Sequence, residues 1–114
     1  MNKILVKYCE GRPISLLVEE HVGFDEHGQD IVCAAVSTLA QTLIQGIYAV
    51  AKVEVFPCEI KEAYVYLERP ADCDEETHVI IDIVFKTILE GLKLIRDTYP
   101  NYIEFREEEV QCRC

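Results

Sequence analysis

The sequence predicts an α+β fold in two layers, ordered β-β-α-β-β-α-β, with a largely antiparallel or mixed sheet and both helices on one face. Three observations carry this. Two long stretches, Ile31 to about Lys52 and Asp74 to Pro100, return apolar residues at helical spacing. Short apolar runs bounded by Gly or Pro account for the rest as strands. Neighbouring runs are joined by few residues, so hairpins prevail and the helices are left to cover one side of the sheet.

KILVKY (3–8) reads as the first strand, with Ile4, Val6 and Tyr8 pointing to one side. ISLLVE (14–19) reads as the second, and the intervening CEGRP supplies Gly11 and Pro13 for a hairpin. The first helix carries Val32, Ala35, Val36, Leu39, Leu43, Ile47 and Val50 on its apolar stripe. Asp30 stands just before it, where an N-cap carboxylate can accept the orphan N–H groups of the first turn. VEVF (53–56) and AYVYLE (63–68) form a second strand pair around Pro57 and Lys61.

RPADCDEE then breaks the pattern. Asp74 caps the second helix, and Glu75 and Glu76 suit the positive end of its dipole. Its stripe is Val79, Ile80, Ile83, Val84, Ile88, Leu92 and Ile95, and Pro100 ends it. YIEFR (102–106) is the last strand. Residues 1–106 are thus one domain, and 107–114 form an acidic, cysteine-bearing tail. The face of the sheet carrying Tyr64 and Tyr66 or their neighbours is left to solvent or a partner.

A chain of 114 residues that is 50% hydrophobic can bury a core without staples. Its net charge of −10, from 11 Lys and Arg against 21 Asp and Glu, repels phosphate backbones and argues against direct nucleic-acid binding. The same charge favours encounter with basic proteins. No apolar run reaches the ~20 residues of a membrane span, and Met1-Asn2-Lys3 opens no signal peptide, so the expected location is cytoplasmic. The six cysteines (9, 33, 58, 73, 112 and 114) are then expected as reduced thiols. Cys112 and Cys114 read as free thiols on a frayed end before a metal or redox role, and no metal site or cofactor is expected.

The chemistry concentrates around Cys33. With Asp30 as N-cap, its thiol falls in the first helical turn, where free N–H groups and the dipole favour a thiolate. His21 closes the second strand, and a loop containing Val22, Gly23, Phe24 and Gly28 must fold back to bring it near. Ser37 lies one turn after Cys33, where its hydroxyl could bond the thiolate or a substrate carbonyl. His27 is expected to be solvated. On residues alone two readings stand: a small core cysteine with an ordinary strand-end histidine, or a nucleophile with its base.

The stretch HVGFDEHGQDIVCAAVS resembles the signature of the ribosomal-processing cysteine proteases, the Prp family. That pattern runs Gly-His-Ala, a glycine-containing loop, then G-x-D-x-V-C-A-x-x-S. The likeness also covers the element order of nearly the whole chain. It implies His21 as catalytic histidine, Cys33 as nucleophile, and Asp30 and Ser37 as the motif's aspartate and serine. It further implies a cytoplasmic homodimer whose histidine-to-cysteine loop moves on substrate binding. The implied reaction removes the N-terminal extension of a large-subunit ribosomal protein, number twenty-seven of the standard series. Gly-His-Ala is Glu20-His21-Val22 here, a departure beside the histidine. The rival reading is a non-catalytic dimeric module binding a basic ribosomal protein; metal or redox chemistry at Cys9, Cys112 and Cys114 is a third.

Overall fold

The structure, a computed structural model, describes residues 1–20 and 27–112, and for 27–30 the backbone only. Its elements are β1 (Asn2–Cys9), β2 (Arg12–Glu20), α1 (His27–Ala49), β3 (Cys58–Lys61), β4 (Tyr64–Glu68), α2 (Glu75–Thr98) and β5 (Ile103–Glu109). The order matches the sequence expectation. The sheet runs β3-β4-β2-β1-β5, antiparallel except for the parallel β1–β5 pair, so it is mixed.

Register explains why both helices share a face. Cross-strand partners Ile4 and Val18, Val6 and Leu16, Leu16 and Leu67, and Val18 and Val65 put their side chains on the same side of the pleat. All are buried, and α1 and α2 lie on them. β1 and β2 meet in a two-residue turn with φ of 50° at Glu10 and 77° at Gly11. Positive φ at both central positions matches the right-handed twist of the strands. A bulge then follows: Lys7 pairs with Ser15, but Tyr8 pairs with Pro13, leaving Ile14 unpaired on β1. The carbonyl of Ile14 instead accepts from Arg69 N at 2.7 Å.

Several expectations are corrected. The second hairpin uses CEIK, not VEVF, because a tight turn at Glu62 and Ala63 pairs Lys61 with Tyr64 and fixes the strand immediately before it. Val55 is consequently exposed. α2 has its expected cap, with Asp74 Oδ1 accepting from Thr77 N at 2.8 Å. Its stripe is rotated, however: Ile81, Phe85, Ile88, Leu89 and Leu92 are buried, while Val79 and Ile83 are exposed. Apolar residues surround much of this helix, and the largest, Phe85, decides which side faces the core.

In α1, Val32, Val36, Ala40, Leu43 and Ile47 are buried, and Val50 is exposed just past the helix end. Ile31–Ala49 is long and apolar enough to cross a membrane, with mean hydropathy 1.5. Its apolarity is that of a helix whose inner stripe is the domain core. The second strand pair and this helix therefore differ from the sequence reading in position rather than in kind.

The C-terminal segment is also more ordered than expected. β5 continues through Glu109, and Val110 N donates to Tyr8 O at 2.8 Å. That parallel pairing carries Cys112 to the end of β1, where it forms a disulfide with Cys9, Cα to Cα 5.4 Å. The expectation of reduced thiols fails for this pair, because sequence spacing says nothing of which strand β5 joins. Bonded to each other, neither sulfur is a thiolate ligand for metal. Cys33, Cys58 and Cys73 are free.

Candidate active site

α1 begins at His27, four residues before the expected start at Ile31, so Asp30 is its fourth residue and not its N-cap. Gly28 is likewise helical rather than part of the loop. Cys33 is the seventh residue, beyond the first turn. Its own N–H is inside the helical ladder, and the free N–H groups of the helix start lie a full turn or more away. The dipole argument for a thiolate therefore loses its geometry, since the effect falls off within the first turn.

What surrounds the sulfur comes from the sheet. Asn2 is the first residue of β1, on the core face with Ile4 and Val6, and only 1% of it is exposed. Its Nδ2 donates to Cys33 Sγ at 3.3 Å. Glu20, the last residue of β2, pairs with Asn2 across the ladder and so shares that face. Cys33 is half-buried, and its thiol is pushed up to about 11, first by burial and next by the Glu20 carboxylate. The Asn2 amide acts in the opposite direction, as does the N-terminal ammonium. The resting thiol is thus protonated at neutral pH.

Ser37 is half-buried one turn on, and its Oγ accepts from Gln41 Nε2 at 3.0 Å. That bond follows its own helix face and does not run to Cys33. His21, Val22, Gly23 and Phe24 lie outside the described residues, as do the side chains of His27 and Asp30. Sequence reasoning missed Asn2 altogether and took Glu20 only as a departure from a motif. The hairpin pairing could have revealed both, given the bulge at Ile14. Without that bulge Glu19 would oppose Asn2, and Glu20 would fall on the other face.

Comparison with known proteins places this arrangement. The sequence model described as cysteine protease Prp matches residues 1–104. The chain belongs to the cysteine protease Prp family. It is a cysteine peptidase. The ribosomal processing cysteine protease Prp of Bacillus subtilis is 28% identical over 90 residues, which span 77% of this chain and 80% of that one.

Solved structures share the Prp-family fold. SMU.848 from Streptococcus mutans superposes with a TM-score of 0.78 at 23% identity, covering 96% of both chains. The essential ribosomal processing protease Prp from S. aureus, solved with a substrate peptide, gives 0.75 at 14% identity over 94% of this chain and 99% of that one. The same S. aureus protein was also solved with a covalently linked product peptide, with a TM-score of 0.66 at 19% identity and the same coverage. Family membership favours the peptidase over the non-catalytic binding module.

Proposed function

We propose that this chain is a cytoplasmic endopeptidase that removes the N-terminal extension of large-subunit ribosomal protein number twenty-seven, with Cys33 as nucleophile and His21 as its base. The observation that carries it is Cys33 itself: a half-buried, free thiol at the rim between sheet and helix, inside the family-matched segment at motif spacing from His21. The relatives in B. subtilis and S. aureus, named as ribosomal processing proteases, supply the substrate class. A net charge of −10 suits a basic ribosomal substrate.

In this reading, His21 takes the proton from Cys33 Sγ as the sulfur attacks the scissile carbonyl. The C–N bond breaks, the proton passes from His21 to the leaving amine, and an acyl-enzyme remains on Cys33. Water, deprotonated by the same imidazole, releases the product acid and restores the thiol. A sulfur that starts as a thiol with a pKa of about 11 needs this base, because only the thiolate attacks at a useful rate. Asp30 and Ser37 support the site through the helix that carries Cys33. The protein acts as a homodimer, for which the exposed Val79 and Ile83 of α2 offer an apolar surface.

The test is to incubate the protein with the extended ribosomal protein and read the products by mass. Wild type yields one cut at the extension junction, Cys33→Ala yields none, and His21→Ala cuts at least about 100-fold more slowly. Undiminished cleavage by Cys33→Ala ends the proposal.

A further inference from the structure

Asn2, which donates to the Cys33 sulfur, and Glu20, its partner across the paired ends of β1 and β2 and so on the same face, have opposite chemistry. The amide of Asn2 can only donate from Nδ2, and a donor at 3.3 Å favours sulfur as an anion. The carboxylate of Glu20 can only accept when ionised, so it favours sulfur as a thiol and repels the anion. The Asn2 side chain is held in place by near-complete burial beneath α1.

We propose that Asn2 is a catalytic residue that holds the Cys33 thiolate, and that Glu20 opposes it by holding the proton in the resting enzyme. This rests on Cys33 being the nucleophile. The pair lets the thiolate form when the Glu20 charge is neutralised or drawn away, while Asn2 stays in place to receive it. A basic group of the substrate reaching Glu20 would do this, releasing the thiol proton to the site's base and leaving the sulfur anion bonded to Asn2 Nδ2. Resting reactivity toward small electrophiles is then low, and substrate raises it.

The test reads the thiol directly. Iodoacetamide labelling of the Cys33 peptide, followed by mass across pH 7 to 12, brackets the midpoint of thiolate formation in the wild type and compares it with Asn2→Leu, Asn2→Asp and Glu20→Gln. One charge-assisted hydrogen bond corresponds to about a 10-fold change in reactivity at fixed pH. Glu20→Gln should therefore label about 10-fold faster at pH 8, and Asn2→Leu about 10-fold slower. Asn2→Asp, which keeps the shape and exchanges a donor for a carboxylate, should be at least as slow as Asn2→Leu.

An Asn2→Asp protein that folds, by its circular dichroism, and labels with the wild-type pH midpoint overturns the role of Asn2. A Glu20→Gln midpoint equal to wild type overturns the role of Glu20. These readouts need no peptidase activity. If Cys33→Ala still cleaves substrate, the nucleophile assignment has failed while the labelling midpoints still report whether the two side chains control the thiol.

Discussion

Arg69 Nη1 lies 2.7 Å from Asp82 Oδ1, with the two side chains only 5% and 18% exposed. The same guanidinium donates from Nη1 to Pro13 O at 3.2 Å, from Nη2 to His78 O at 2.8 Å, and from Nε to His78 Nδ1 at 3.1 Å. One cation therefore ties the β1–β2 hairpin and the end of β4 to the first turns of α2. Arg12 reaches the other oxygen of Asp82 at 3.0 Å but is far more exposed.

Removing one partner of a buried pair strands the other charge. Asp82→Ala should destabilise the fold by about 3–5 kcal/mol. Arg12→Ala, which breaks ion pairs at the surface, should cost less than about 1 kcal/mol. Urea unfolding of both variants checks this, and equal costs would show that the Arg69 pair is effectively solvated.

This buried pair also marks what the sequence made legible. Periodicity located both helices and all but one strand, since burial of one face imposes a period on each. Alternation left either Tyr64 and Tyr66 or their neighbours on the open face of the sheet, and the register decides for the tyrosines, as partners of Glu19 and Leu17. It could not choose between the two apolar sides of α2, because Ile80 and Ile81, or Val84 and Phe85, satisfy the same period from adjacent faces. It could not place β5 against β1 in parallel, so the Cys9–Cys112 contact was unreadable. At the site, spacing singled out Cys33, but its environment depends on a one-residue bulge at Ile14 that no local residue announces. Only that register brings Glu20 to the side of Asn2 and the sulfur.

The Cys33 thiol gives a stability signature with a definite sign. Its folded value, about 11, lies above the ordinary 9.0, so the folded protein holds this proton more tightly than the unfolded chain. That contribution is fully present below pH 9 and is lost as pH rises through 11. Cys33→Ala has no such titration. Unfolding free energies of the two proteins should therefore keep a constant difference up to about pH 9, after which the wild type falls relative to the variant. A difference that stays constant to pH 11 would mean that the thiol is no harder to ionise than in the unfolded chain.

The Cys9–Cys112 disulfide closes a loop with a sequence separation of 103 residues. Restricting so long a loop in the unfolded chain is worth about 2–4 kcal/mol. Cys112→Ser should lower the melting temperature by that equivalent in oxidising buffer and leave it nearly unchanged in dithiothreitol. The bond also forms one wall of a 790 Å³ groove, together with Val110 and facing Arg69 and His78. Reduction should accordingly raise amide exchange at Val110 and Gln111, and leave the core strand β2 unaffected. Equal melting temperatures with and without reductant would rule out the bond as a stabilising staple.

α1 and α2 approach closely where glycine removes a side chain. A Cβ on Gly46 would stand 2.7 Å from Val84 Cγ1, and one on Gly91 would stand 3.1 Å from Leu39 Cδ1. These two contacts run in opposite directions along the helices, which makes the pair antiparallel. Val84 is β-branched and stiff at χ1, so it cannot swing aside cheaply. Gly46→Ala should therefore destabilise by about 1–3 kcal/mol through overpacking, although alanine is the better helix former. In a Val84→Ala background the obstructing methyl is gone, and the remaining Cβ lies 4.0 Å away, an ordinary contact. There the same Gly46→Ala change should stabilise by about 0.5–1 kcal/mol. The reversal of sign in this double-mutant cycle, measured by urea unfolding, isolates the helix contact from helix propensity. Destabilisation in both backgrounds would place the cost of the Cβ somewhere other than against Val84.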